Sequence, residues 1–407
     1  MLKCELLVIS KYAILPGYGM SSKVFSTALF LSKYYDTTLV NSNSNHLSSQ
    51  PKYDDVLNHR TIETLNIITL GTFRYRFSKS IRRLLSWLDF ELKLRSIKID
   101  PQCPPKVVIV SSLSLLTILW ALKQKRIFGV KVIFEVRDIY PLTITDEMGV
   151  SKLNPLVVLM SWIEKKAYLE SDLIVGTMPR LNIHVREVIG FEKEVFYSPI
   201  GLNTYFKNAK VNELDLKLPK KYSSSMIIGY SGSIGESNYL SSFIRVIKIL
   251  RDDPNYYFVI LGDGDYLEKY TNDLHNCDNV IFTGRIEPSR VHEYLVSMDC
   301  LYLSVKPSSV WNYGQSLNKV LDYLMAGKPI VSAYNGYPNM LNEIEGNLII
   351  PSNDDQELIK AFDIVRGYNQ KILDSISTEA PKLVKEKYVY NVINKNYLER
   401  ITELINK

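Results

Sequence analysis

Short apolar runs rich in Val, Ile and Leu alternate with helical patterns from one end of this 407-residue chain to the other. A run that is apolar on both faces is a strand buried on both sides, and regular alternation with helices predicts parallel sheets. In the first half the predicted strands are Leu6–Ser10, Thr38–Asn41, Ile67–Leu70, Val107–Ser111, Lys131–Val136, Leu173–Gly176 and Val195–Tyr197. The alternation restarts with Ile227–Ser231, Tyr257–Gly262, Val280–Thr283, Cys300–Ser304, Pro329–Ala333 and Leu348–Pro351. Between the halves, Ser198 to Ser225 contains Pro199, Gly201, Pro219 and a Ser triplet with little periodicity, as a connection does. The chain ends on Val389, Val392, Ile393, Tyr397, Leu398, Ile401 and Leu404 at helical spacing, the apolar stripe of a docked helix.

This length is too great for one ordinary α/β core and suits two. The expected architecture is α/β, with two Rossmann-like doubly wound domains facing each other across a cleft. The expected divisions are residues 1–203, a linker 204–225, a second domain 226–386 and a terminal helix 387–407. Open parallel sheets bind ligands beyond the carboxyl ends of their strands. The residues just after each strand are therefore the ones that carry chemistry.

The most informative segment runs from Tyr313 to Pro329. Ser316 or Asn318 is placed to cap a helix that Gly327 ends before the strand at Pro329. Asn318, Lys319 and Asp322 share a face over its first turn. A helix N-terminus with a Lys beside it is an anion site, and a carboxylate one turn further in accepts bonds from sugar or ribose hydroxyls. The alternative is an intrahelical Lys319–Asp322 ion pair. Strand 227–231 runs into Ser231, Gly232 and Ser233, where glycine either lets the backbone approach a ligand or is one of the short turns common after strands for packing reasons. Gly262, Asp263 and Gly264 form a tight loop that either holds a base or ribose edge or is an ordinary turn. In the first half, Gly17 and Gly19 lie in a loop before a helix starting near Lys23. Strand 131–136 delivers Arg137 and Asp138. That carboxylate either orients or deprotonates an acceptor hydroxyl, or pairs with Arg137. The first loop is not GxGxxG and no acid closes the next strand, which argues against NAD.

Charge changes the picture in one place. Eight bases lie between Arg74 and Lys98 against Asp89 and Glu91, so this stretch alone carries +6, the formal net charge of the whole chain. They are interleaved with Phe73, Tyr75, Phe77, Leu84, Leu85, Trp87, Leu88 and Phe90. That mixture suits an element lying on an anionic membrane, or else a solvated helix. No reader motif accompanies it, so nucleic acid is not an expected partner. The four cysteines share no CxxC spacing and have no nearby His, so neither a disulfide framework nor a zinc site is expected. Lys3, Glu5 and Lys11 interrupt the first apolar run, and the longest apolar stretch, between Lys106 and Lys123, is short of the roughly 20 residues that span a bilayer. A cytoplasmic location is the expectation.

Several of these segments resemble the family 4 retaining glycosyltransferases of the GT-B fold, and within them the WbuB-like branch of O-antigen and capsule clusters. Lys11 to Ser22 resembles the branch's first glycine loop, and Phe134 to Pro141 (FEVRDIYP) is similar to its FEVRDxWP motif. Ser198 to Asn203 resembles its interdomain turn. Gly314 to Tyr323 (GQSLNKVLDY), followed by AGKP, is similar to its GxSPNKxFDY segment. The resemblance implies transfer of a sugar from a nucleotide diphosphate donor to a lipid-linked or glycan acceptor, with retention and without an obligatory metal or other cofactor. It implies Gly17 and Gly19 near the donor diphosphate, Asp138 near the acceptor, Lys319 on the diphosphate and Asp322 on the ribose. It also implies a terminal helix that crosses back to the first domain. Its kind of acceptor, together with the basic aromatic patch, makes a chain peripheral on the inner face of the cytoplasmic membrane through residues 73–98 the expectation. The chain departs from the pattern at Gly314, where the family keeps a Glu, and at Ser231, Ser233 and Ser237, where an Arg and a Lys are usual. Leu317, Tyr140 and Asn203 replace Pro, Trp and Asp. Lys306 and Lys319 are the candidates to supply the missing positive charge. Two rival readings are a GT-B nucleotide-sugar epimerase and a non-catalytic nucleotide-sugar-binding subunit of a polysaccharide assembly complex.

Overall fold

The computed structural model describes residues 2–18, 22–45, 57–75, 81–112, 114–202 and 218–407. The chain forms two compact units, Met1–Asn203 with Tyr390–Lys407, and Thr204–Val389.

In the first unit the chain runs β1 (Leu6–Ile9), α1 (Lys23–Leu31), β2 (Thr37–Ser42), β3 (Leu57–Ile62), β4 (Leu65–Leu70) and α2 (Ile81–Leu94). It continues through β5 (Val107–Ser111), α3 (Thr117–Phe128), β6 (Lys131–Val136), α4 (Leu142–Glu147), α5 (Pro155–Glu170), β7 (Leu173–Gly176), α6 (Leu181–Ile189) and β8 (Val195–Tyr197). The strand order is β3-β4-β2-β1-β5-β6-β7-β8, parallel except for β3 against β4. The β3–β4 hairpin, which the pattern did not predict, turns at Glu63 with φ +52. LNHRTI is mostly polar because β3 is an edge strand, and polar edges discourage pairing with other chains.

The second unit runs β9 (Met226–Ser231), α7 (Ser241–Ile249), β10 (Tyr256–Leu261), α8 (Leu267–Asp273), β11 (Val280–Gly284), α9 (Val291–Val296) and β12 (Cys300–Ser304). Then come α10 (Asn318–Ala326), β13 (Ile330–Ala333), β14 (Leu348–Ile350), α11 (Asp355–Arg366) and α12 (Gln370–Lys387). Its sheet, in the order β11-β10-β9-β12-β13-β14, is parallel throughout. The core stacks Phe243 on Tyr302 with ring centroids 4.3 Å apart, and Phe258 and Phe362 meet them edge-on.

The last helix, α13 (Tyr390–Asn406), belongs to the first unit. It buries Ile393, Tyr397 and Ile401 beside α1, and Thr27 Oγ1 donates to Asn394 Oδ1 at 2.9 Å. Beneath it Lys23, the first residue of α1, is buried and paired with the buried Glu135 of β6 at 3.1 Å. Burial pulls the Lys23 pKa down and Glu135 holds it up. Removing one member of a buried pair strands the other charge at a cost of about 3–5 kcal/mol, whereas replacing both by apolar residues is often near neutral. Glu135→Ala is therefore expected to lower the chemical-denaturation midpoint of the first unit sharply, and Lys23→Met with Glu135→Leu to recover most of the loss. Equal midpoints for Glu135→Ala and the wild type would show the pair to be dispensable.

Candidate functional site

In the second unit, the carboxyl ends of β9 and β10 carry the glycine loops. Both are built backbone against backbone. Gly232, at φ +144, donates its N–H to Leu261 O at 2.9 Å, and Ile234 N donates to Asp263 O at 2.9 Å. A Cβ on Gly262 (φ +140) would lie 1.8 Å from Gly232 O, and one on Gly264 (φ +156) 2.4 Å from Ile234 O. These two glycines are thus demanded by loop-on-loop packing, and the Asp263 carboxylate turns back to accept Gly264 N at 2.7 Å. What they shape is a hollow of about 400 Å³ bordered by Ser231, Gly232, Asp263 and Arg285. Arg285 follows β11, is exposed and makes no ion pair among the described residues. Sequence reasoning passed over it.

Gly232 differs from the other two. A Cβ there would lie 2.6 Å from Lys319 Nζ, so this glycine admits the lysine head group. Lys319 stands in the first turn of α10 and reaches across to β9. Its ammonium donates to Tyr230 Oη at 3.0 Å and to Asn238 Oδ1 at 2.9 Å, and it lies 4.3 Å from the centre of the Tyr230 ring. The intrahelical ion pair with Asp322 does not form. Burial draws the Lys319 pKa down to about 7 against the attraction of Asp322, and burial likewise raises Asp322 to about 7. Asn238 was invisible to motif reading. It ends the turn Glu236–Asn238, fixed by Tyr239 at φ +47 and by Ser304 Oγ donating to Asn238 O. Tyr323, next to Asp322, pins the end of β9, its Oη accepting Ser231 N at 2.7 Å.

Two expectations change. Neither Ser316 nor Asn318 caps α10. Its N-cap is Leu317, which makes no side-chain cap bond. Gly327 does end the helix, at φ +64 and against Ser377 of α12. Lys306 is not a free cation, because its Nζ is 2.6 Å from Glu236 Oε1. Gly314 has φ +103, which excludes a Glu there without backbone strain.

In the first unit, Arg137 and Asp138 leave β6 in a turn held by Ser112, whose Oγ accepts both N–H groups and donates to Asp138 O. They form no ion pair among the described residues, and Arg137 Nε is buried without a partner. Burial raises the Asp138 pKa, opposed by Arg137 and by Arg83 of α2. Arg83 and Trp87 both donate to Tyr12 Oη. Lys11 is buried as well, donating to Ser86 Oγ at 2.8 Å and Ser44 O at 3.2 Å, with its pKa drawn by burial to about 7. Gly17 turns at φ +83 in open space, whereas Ser22 caps α1 by accepting Phe25 N. Gly19 lies outside the described residues.

The two parallel-sheet units make a GT-B fold, and residues 225–365, within the second unit, match the family described as glycosyl transferases group 1. A curated relative, the alpha-monoglucosyldiacylglycerol synthase of Streptococcus pneumoniae, is 27% identical over 221 residues, which are 51% of this chain. The chain spans about half (49%) of the length of that relative. Among solved structures, the sucrose-phosphate synthase of Thermosynechococcus elongatus aligns with a TM-score of 0.71 at 13% identity, covering 98% of this chain and 99% of that one. Anabaena HepE in complex with UDP aligns at 0.63 and 11% identity, covering 98% and 100%.

A diphosphate arriving at the Lys319 ammonium would raise its pKa above about 7. Affinity is then complete below that value and falls as pH rises, up to the pKa of the complex. The dissociation constant of UDP is expected to weaken several-fold from pH 6 to pH 9 in calorimetric titrations. Lys319→Arg, which does not titrate in this range, should flatten that profile. A flat profile in the wild type would remove the diphosphate from Lys319.

Proposed function

We propose that the chain is a retaining glycosyltransferase of family 4, in its WbuB-like branch. It moves a hexosyl or N-acetylhexosaminyl group from a nucleotide diphosphate sugar to a lipid-linked glycan of a bacterial surface polysaccharide. The observation that carries this reading is the half-buried Lys319 in the first turn of α10, whose ammonium is hydrogen-bonded to the neutral oxygens of Tyr230 and Asn238. In transfer, the bond from the anomeric carbon to the diphosphate oxygen breaks, one to the acceptor oxygen forms, and the acceptor hydroxyl gives up its proton to the leaving diphosphate. Charge grows on the leaving diphosphate, where an ammonium and helix N–H groups stabilise it most. Asp322 receives the ribose hydroxyls, the hollow beside Gly262 and Arg285 receives the base, and Asp138 orients the acceptor hydroxyl. The chemistry calls for no resident metal or other cofactor.

The family match over residues 225–365 and the UDP held by a protein of the same fold support the donor class. The name of the pneumococcal relative denotes synthesis of a glucosylated diacylglycerol, which supports an acceptor carried on lipid. We place the chain in the cytoplasm, peripheral on the membrane through segment 73–98. There α2 exposes Leu84, Leu85, Leu88 and Leu92 beside Arg82 and Arg95. A non-catalytic nucleotide-sugar-binding subunit is the second reading, favoured by Gly314 and by the neutralised Lys306.

Slow hydrolysis of a UDP-, GDP- or dTDP-sugar by the purified chain separates the two, since binding without turnover would favour the subunit. Lys319→Ala is expected to lower turnover by a factor of ~100, as loss of one leaving-group stabiliser does. Unchanged turnover would sink the assignment.

A further inference from the structure

Most exposed aliphatic side chains of the first unit lie on three helices, α2, α3 and α5, or in the turn before α5. In α5, Leu156, Val158, Leu159 and Trp162 are 45%, 53%, 47% and 54% exposed, and Leu153, in the turn before it, is 87% exposed. The opposite face of the same helix buries Val157, Met160, Ile163, Ala167 and Tyr168. A helix covering a sheet in water keeps its outer face polar; α5 is apolar on both. α5 packs on α3, and α3 borders α2 across an apolar groove that Leu88, Leu92, Leu119 and Ile127 help to line. The crossovers that contain α2, α3 and α5 all step the same way across the sheet, so right-handedness puts the three on one side. The leucines of α2 and the ridge of α5 therefore belong to one outer face. Between them α3 exposes Lys123, Arg126 and Ile127, so the layer presents two apolar ridges with cations between them, the make-up of an interaction surface.

The charges around it choose the occupant. Its acids are already engaged: Glu164 by His184, Glu170 by Lys166 and Arg126, and Asp172 by Lys125. Lys123 on α3, Lys152 in the turn before α5 and Lys165 on α5 are exposed without an acid partner among the described residues. The Lys166 ammonium lies 5.5 Å from the centre of the Trp162 ring. Leucines that insert, a tryptophan at headgroup depth and lysines whose stems reach along the apolar surface are what an anionic bilayer selects.

We propose that this helical layer is a bilayer-docking face, and that α5, rather than the basic segment 73–98 alone, inserts among the lipids. This rests on the peripheral-membrane reading above and adds the inserting element.

The test is flotation of the full chain with phosphatidylcholine vesicles made with and without phosphatidylglycerol. The variants are Leu159→Asp with Trp162→Asp on α5, Leu88→Asp with Leu92→Asp on α2, and Ile364→Asp as a control. Ile364 is exposed on the second unit, and circular dichroism confirms the fold of each variant. Wild type and control are expected to float with the anionic vesicles. The α5 pair is expected to lower the partition coefficient at least ~30-fold, the loss of about one fully buried apolar side chain. Brominated acyl chains should quench the tryptophan fluorescence of the wild type and much less that of Trp162→Phe. If the wild type floats but neither the α5 pair nor Trp162→Phe changes anything, the role of α5 is overturned and the membrane reading stands on α2. If the wild type does not float, both fall. Self-association that the α5 pair abolishes, with no vesicle binding, would give the face to a second copy of the chain and overturn the proposal.

Discussion

The second unit is organised around one desolvated ammonium, Lys319, which Asp322 attracts without forming an ion pair. An unpaired charge removed from water is costly, and its pKa falls until a partner of opposite sign arrives or the proton leaves. Lys319 sits between these limits, at about 7, with a phenol, an amide oxygen and a ring face for company. Its surroundings follow from housing it. Gly232 has no side chain because the lysine head occupies that space. Asn238 is set by a turn ending in a left-handed tyrosine, and Leu317 at the start of α10 makes no side-chain cap bond. A dianionic diphosphate would complete the set.

The glycine loops show how close approach can have two causes. Gly262 and Gly264 meet neighbouring carbonyls, whereas Gly232 meets the side chain of Lys319. The first two set the depth of the hollow and the third places the charge beside it. Lys306, which sequence alone offers as a second cation, is spent on Glu236. Positive charge at this end therefore rests on Lys319 and on the exposed Arg285.

The parallel strands were legible because burial on both faces leaves continuous apolar runs, and every predicted strand overlies an observed one. The edge strand β3 was not, since solvent on its outer side gives LNHRTI no apolar run. The end of α10 at Gly327 could be read from residue types, but its start could not, because the cap is an absent interaction. Asn238 and Tyr230 are distant from Lys319 in sequence and carry no motif, so only the fold brings them to it. The outer face of α5 escaped notice for a different reason. Its residues read as an ordinary buried helix until their exposure is known.

The most direct measurement is a crystal structure of the chain with UDP bound. The account predicts a diphosphate oxygen within hydrogen-bond distance of Lys319 Nζ and facing the first turn of α10, with the bond to Tyr230 or Asn238 exchanged for it. A nucleotide bound elsewhere, with Lys319 still resting on Tyr230 and Asn238 and out of reach of the diphosphate, would contradict it.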